Sequence, residues 1–176
     1  MPCEGLVRLR RAEPDDAQGI AEVHVGTWRD AYRGLVPDEL LAALSVERRK
    51  GFWQREIELA VSDHRPWIAT CEETIVGFAH AGISRDDAAP GTTGEVYAIY
   101  VDPACWNRGI GRDLLDHAVR DLQAHGFGRA TLWVLRENAR ARDFYEKQGW
   151  RPDGTERHEE RLGSMLSEVR YAIEFA

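Results

Sequence analysis

Apolar positions along the chain recur with two different periods, and the switching between them divides the sequence into short elements. Leu6–Arg10 alternates and predicts a strand. Pro14 stands where a first helical turn tolerates a missing N–H, and Asp15 and Asp16 follow it beside the positive helix end. Ala17, Ile20, Ala21, His24, Trp28 and Tyr32 then recur at helical spacing, predicting an amphipathic helix to about Arg33. Pro37 opens a short helical piece through Leu44, and Ser45 caps a further helix running to about Leu59. Trp67–Cys71 and Thr74–Ile83, joined through Glu72-Glu73, read as a hairpin, and Ser84–Thr93 as a loop. Glu95–Val101 is compact and β-rich, and Gly109–His125 is helical, with Gly126 suited to its C-terminal cap. Arg129–Val134 is again a strand and Asn138–Gln148 again a helix. From Trp150 onward the pattern predicts two strands, the clearer at Val169–Phe175, separated by a loop at Leu162–Ser167. Strand, helix, strand and helix in succession imply a parallel crossover, so the fold class is α/β (α+β), a mixed sheet flanked by helices.

With 176 residues, 43% hydrophobic and 30% charged, residues 1–176 make one globular domain. A formal charge of −7 argues against sequence-independent nucleic-acid binding, which needs a basic surface. Cys3, Cys71 and Cys105 show no metal-ligand spacing, so the expectation is three unpaired thiols and no metal. The first residues carry no apolar leader, and no apolar run approaches the roughly 20 residues that span a bilayer. A cytoplasmic protein with no membrane association is expected.

Chemistry concentrates between Gly94 and Arg112. A strand ends near Val101, a short loop follows, and Gly109 and Gly111 open a helix whose Leu114, Leu115, Val119 and Leu122 form an apolar face. Backbone N–H groups at such a helix start are unpaired, and glycines let a phosphate approach them. Close packing of helix on strand would explain the same glycines. No GxxxxGK[ST] is present, and a GxGxxG fingerprint fails because position 114 is leucine.

Val101 followed by Trp106-Asn107-Arg108-Gly109-Ile110-Gly111 resembles the [Gln/Arg]-x-x-Gly-x-[Gly/Ala] loop of the GNAT superfamily of acetyl-CoA-dependent N-acetyltransferases, departing from it at Trp106. Asn138-Ala139-Arg140-Ala141, then Phe144-Tyr145 and Gly149-Trp150, is similar to that family's second signature. The resemblance implies a mostly antiparallel twisted sheet with a central, splayed parallel strand pair. It implies acetyl-CoA as co-substrate, with backbone groups of Ile99 and Val101 along its pantetheine arm. Asn107, Arg108, Gly109, Ile110, Gly111 and Arg112 would surround the pyrophosphate, and Asn138 and Tyr145 would complete the donor site.

Acetyl transfer to an amine demands removal of a proton from a group of pKa about 10.4, donors for an oxyanion, and help for a departing thiolate. Glu95 stands where some relatives carry a general base, and strand alternation would put Glu95, Tyr97, Ile99 and Val101 on one face. Tyr145 matches the family's general-acid tyrosine. His24, Trp28 and Tyr32 are the acceptor-wall candidates, with core packing the competing reading, and Asp86 and Asp87 form a second possible wall or a solvated loop. The acceptor is a small-molecule or peptide amine, and a homodimer could form by pairing of the terminal Val169–Phe175 strand. A non-catalytic acyl-CoA-binding module and transfer of a longer acyl group stay open as alternatives.

Overall fold

The computed structural model describes residues 5–60, 64–87, 89–161 and 164–175. Strand β1 (Val7–Arg11) leads through a 3-10 turn at Pro14–Asp16 into α1 (Ala17–Ala31), followed by α2 (Asp38–Ala42) and α3 (Val46–Leu59). Ser45 caps α3 as its sequence suggests, its hydroxyl accepting from the Arg48 N–H at 3.2 Å. The meander β2 (Trp67–Cys71), β3 (Thr74–Ile83) and β4 (Thr93–Val101) leads into α4 (Ile110–Ala124). The chain closes with β5 (Arg129–Leu135), α5 (Ala139–Lys147), β6 (Arg151–Arg161) and β7 (Ser164–Glu174).

These strands form one sheet in the order β1-β2-β3-β4-β5-β7-β6, antiparallel except where β4 lies beside β5. One face carries α1 and α3, whose Ile20, Trp53 and Ile57 close over Ile68 and Phe78. Leu114 and Leu115 of α4 cover the other face with Val76, Ala79, Val101, Val96 and Leu132. Each such fully buried aliphatic side chain contributes about 1.5–3 kcal/mol, so the two layers fix the sheet between them. A further cluster of Trp28, Val36, Leu40, Leu41, Leu135 and Leu166 ties α1 and α2 to β5 and β7.

Three expectations are corrected. Ser164–Ser167 belongs to β7 rather than to a loop, while Leu162 lies outside the described residues; pairing of Arg157–Arg161 with Ser164–Glu168 makes strands where the charged sequence has no apolar alternation. The Val169–Phe175 segment has β5 on one side and β6 on the other, so it has no free edge for a dimer; the open edges are β1 and β6. Cys71 is disulfide-bonded, whereas Cys105 is a free, buried thiol and Cys3 lies outside the described residues.

Candidate active site

A continuous cleft of about 1220 Å³ runs from the gap between β4 and β5 to the face covered by α1 and α3. The two parallel strands pair only at Thr93↔Arg129, Gly94↔Ala130 and Glu95↔Thr131, then part. Just beyond, the β3–β4 register shifts between His80 and Ala81, leaving Tyr97 as an extra residue in β4. Such a bulge adds twist and turns the strand away from its neighbour where the gap opens. The Asp102 N–H donates to Val76 O at 2.9 Å, so the polar groups of Tyr100 and Asp102 face β3 and those of Ile99 and Val101 face the gap. The Val101 carbonyl is already engaged, accepting from Trp106 Nε1 at 2.6 Å and from Thr27 Oγ1 at 3.4 Å.

At the mouth of the gap Asn107 and Gly109 adopt left-handed φ values of 60° and 83°, turning the chain into α4. Gly109 is the N-cap and has no side chain to satisfy the first N–H groups, which leaves them for an anion. Gly111 is informative in another way. A Cβ there would lie 3.6 Å from Phe144 and 3.7 Å from Val101, ordinary contact distances, so packing within the protein does not demand glycine. Without a Cβ, the position leaves room for the close approach of a ligand. Gly111→Ala is accordingly expected to keep or slightly raise Tm while weakening acetyl-CoA binding by about tenfold, read by calorimetry beside thermal unfolding.

Asn138 is buried at the start of α5, where its Oδ1 accepts from the Ala141 N–H at 3.1 Å; the helix cap takes that oxygen and leaves Nδ2 as the atom available to a ligand. Tyr145, 8% exposed, stands between Trp150 and Tyr171, and burial holds its phenol pKa well above the ordinary value. Ile110 and Arg112 line the cleft, with Arg112 only loosely paired to Asp116 at 3.9 Å. Arg108 is exposed and is not among the cleft-lining residues. Arg142 is engaged elsewhere, donating to Tyr171 Oη and the Arg136 carbonyl.

The bulge reverses the face expected for Glu95. Ile99 and Val101 pack against α4, but Glu95 and Tyr97 point to the opposite side, where Tyr97 meets His80 and Arg85. Glu95 is 3% exposed. Its Oε2 accepts from the Arg85 N–H at 2.8 Å and its Oε1 from Arg85 Nη2 at 3.1 Å. Asp86, far from being a solvated wall, accepts from Trp133 Nε1 at 3.1 Å and Arg170 Nη1 at 2.8 Å, pinning the turn that carries Arg85.

His24, Trp28 and Tyr32 form the α1 wall of this half and also belong to its packing. Burial, and then the charge of Arg49, lowers the His24 pKa to about 3, and its Nδ1 accepts from Trp53 Nε1 at 3.2 Å. A neutral ring stacked at 5.0 Å on Tyr100 is not placed to gain a proton. Trp28 Nε1 is buried without a partner in hydrogen-bond geometry, and Tyr32 packs edge-on to Trp28 at 4.6 Å. Burial raises the pKa of both Tyr32 and Tyr100, so their phenols stay protonated. His80, lowered to about 4 by burial and then by Arg85, completes the pocket with Trp53 and Tyr97. Both imidazoles are neutral when folded but take up protons below about 6.5 once unfolded. The unfolded chain then binds more protons, and stability falls as pH drops from about 6.5 toward 4. His24→Gln, which keeps an acceptor for Trp53, should lessen that fall in urea titrations; an unchanged pH dependence would exclude His24 as a contributor.

The sequence profile described as the Acetyltransferase (GNAT) family matches residues 27–150. The uncharacterized N-acetyltransferase YuaI of Bacillus subtilis is 32% identical over 134 residues, 76% of this chain and 74% of its own length. A probable N-acetyltransferase of Mycobacterium tuberculosis is 30% identical over 151 residues, 84% of this chain and 82% of that one. The chain belongs to the GNAT acetyltransferase family. Its fold is also that of the PaiA N-acetyltransferase of Thermoplasma acidophilum, a structure in complex with coenzyme A, with a TM-score of 0.76 at 22% identity over 97% of this chain and 99% of the other.

Within that family this acyltransferase brings Glu95, Tyr145, Asn138, Gly109 and Gly111 to one cleft, together with His24, Trp28 and Tyr32. His80, Arg85 and Trp133 also line it and escape a reading of local pattern, because β3, a loop and β5 converge only in three dimensions. Trp133 could have been found, since an indole among the apolar residues of β5 needs a partner for its N–H.

Proposed function

We propose that the protein transfers an acetyl group from acetyl-CoA to a primary amine, with donor and acceptor held together in the cleft. The observation that carries this reading is the parting of β4 from β5 beside the uncapped start of α4, in the same cleft as Glu95 and Tyr145. Ile99, the Val101 N–H and Asn138 Nδ2 would hold the pantetheine arm, a strand-like ligand beside an open strand edge. The N–H groups around Asn107, Gly109, Ile110, Gly111 and Arg112 would hold the pyrophosphate; the position of Arg108 gives it no part here. Acetyl-CoA supplies an activated thioester. Glu95 receives the proton of the incoming ammonium, directly or through water, and Tyr145 donates a hydrogen bond to the departing sulfur. His24, Trp28 and Tyr32 form the wall against which the small-molecule or peptide amine lies.

The test is calorimetric titration with acetyl-CoA and CoA, followed on the same sample by thiol release across a panel of small amines and peptide N-termini. Micromolar binding with turnover of one acceptor class supports the reading. Absence of CoA binding overturns it, and binding without turnover of any amine points to an acyl-CoA-binding module.

A further inference from the structure

The loop before α4 carries an indole where the family motif has Gln or Arg, and that indole is held from two sides. Trp106 Nε1 donates to the Val101 carbonyl at 2.6 Å, which fixes the ring at the end of β4. The Arg140 guanidinium lies over it, its Cζ 3.0 Å from the ring centroid. Arg140 comes from the first turn of α5, so this stack joins the two walls of the donor half of the cleft, and both residues line that cleft.

Arg140 shares with Arg108 the lack of an acceptor among the described residues, but of the two it alone lines the cleft. Arg142 donates to Tyr171 and Arg136, Lys147 pairs with Asp143 at 2.6 Å, and Arg112 lies 3.9 Å from Asp116. Among the described residues Arg140 makes no ion pair or hydrogen bond. Burial lowers its pKa from the usual value, without a carboxylate to offset the effect. A guanidinium stacked by one face keeps its N–H edge free, and that edge suits the oxygens of a phosphate. We infer that Arg140, positioned by Trp106, is a phosphate-binding residue of the donor site, and that α5 thereby supplies a charge that position 106, a Trp where the motif has Gln or Arg, does not. The inference rests on the cleft being the acetyl-CoA site. Its partner is the pyrophosphate or the 3′-phosphate.

The experiment is calorimetry of the native protein, Arg140→Ala, Trp106→Leu and the double variant with CoA and 3′-dephospho-CoA, with acetyl-pantetheine turnover as the phosphate-free control. If the native protein fails to bind CoA, the parent reading has failed and the variants are moot. Where it binds, Arg140→Ala should weaken CoA by about 30-fold and leave kcat/KM for acetyl-pantetheine unchanged. A loss retained with 3′-dephospho-CoA identifies the pyrophosphate, and a loss that vanishes with it identifies the 3′-phosphate. Trp106→Leu should cost nearly as much, and the double variant no more than Arg140→Ala, because the two residues act as one unit. Trp106→Arg in the Arg140→Ala background should regain most of the affinity. CoA affinity unchanged in Arg140→Ala, or an equal loss with acetyl-pantetheine, would overturn the inference.

Discussion

Replacing Tyr145 with Phe is expected to lower kcat by about a hundredfold while leaving acetyl-CoA affinity within about twofold of native. The variant isolates one oxygen. Tyr145 is packed against Phe144, Trp150 and Tyr171, all ring contacts that Phe retains. Its hydroxyl has no hydrogen-bond partner among the described residues, so deletion leaves no buried group unpaired and the fold should be nearly as stable. In the proposed reaction the hydroxyl would act only when negative charge collects on the sulfur. Burial raises its pKa, whereas a free thiol ionises near 8.5, so full proton transfer to a thiolate is uphill. A hydrogen bond that strengthens with charge is then the form its help takes. Such an interaction belongs to the transition state, and its loss lowers kcat rather than affinity. Steady-state kinetics beside calorimetry decides the point: a native kcat, or a loss confined to acetyl-CoA affinity, would remove Tyr145 from the chemistry.

Local devices were legible because they depend on neighbours in sequence. Ser45 caps α3 as expected, and Gly109 and Gly111 stand at the opening of α4. The face of Glu95 was legible only in part: alternation turns it towards the cleft, which it lines, but puts it on the face of Val101, which it does not share. Strict alternation from Val101 back to Glu95 gives one face, but the extra residue at Tyr97 reverses it, and nothing in the order Val96-Tyr97-Ala98 marks a bulge. The partner of Asp86 was hidden for a different reason: Arg170 is 84 positions away, and only the sheet order brings β7 beside β5. The start of β7 shows the same limit, since Ser164–Ser167 reads as loop and is strand by virtue of its pairing with β6.

The reversed face is what makes Glu95→Gln informative, and its expected result is a deficit that depends on pH. On the α4 side the carboxylate would sit in the core; on the observed side it lines the cleft with Tyr97, His80 and Arg85. Gln has the same shape. It keeps an oxygen for the Arg85 N–H and turns its NH2 toward the guanidinium, which breaks the ion pair. Because the Arg85 side chain is 62% exposed, water takes over the released charge and the effect on folding is small. Catalysis is affected differently. An amine of pKa about 10.4 is free base in only roughly one molecule in 2,500 at neutral pH, and without a carboxylate to receive its proton the variant must await that fraction. We expect kcat/KM to fall about a hundredfold near pH 7 and the deficit to shrink steadily toward pH 10, where the acceptor arrives already neutral. Arg85→Ala serves as the control, since it removes the guanidinium but leaves the carboxylate in place on the residue 85 N–H, and it should show no such pH-dependent recovery. A Glu95→Gln deficit of the same size at every pH would mean that the pair only shapes the pocket, and Glu95 would lose its place as the proton acceptor.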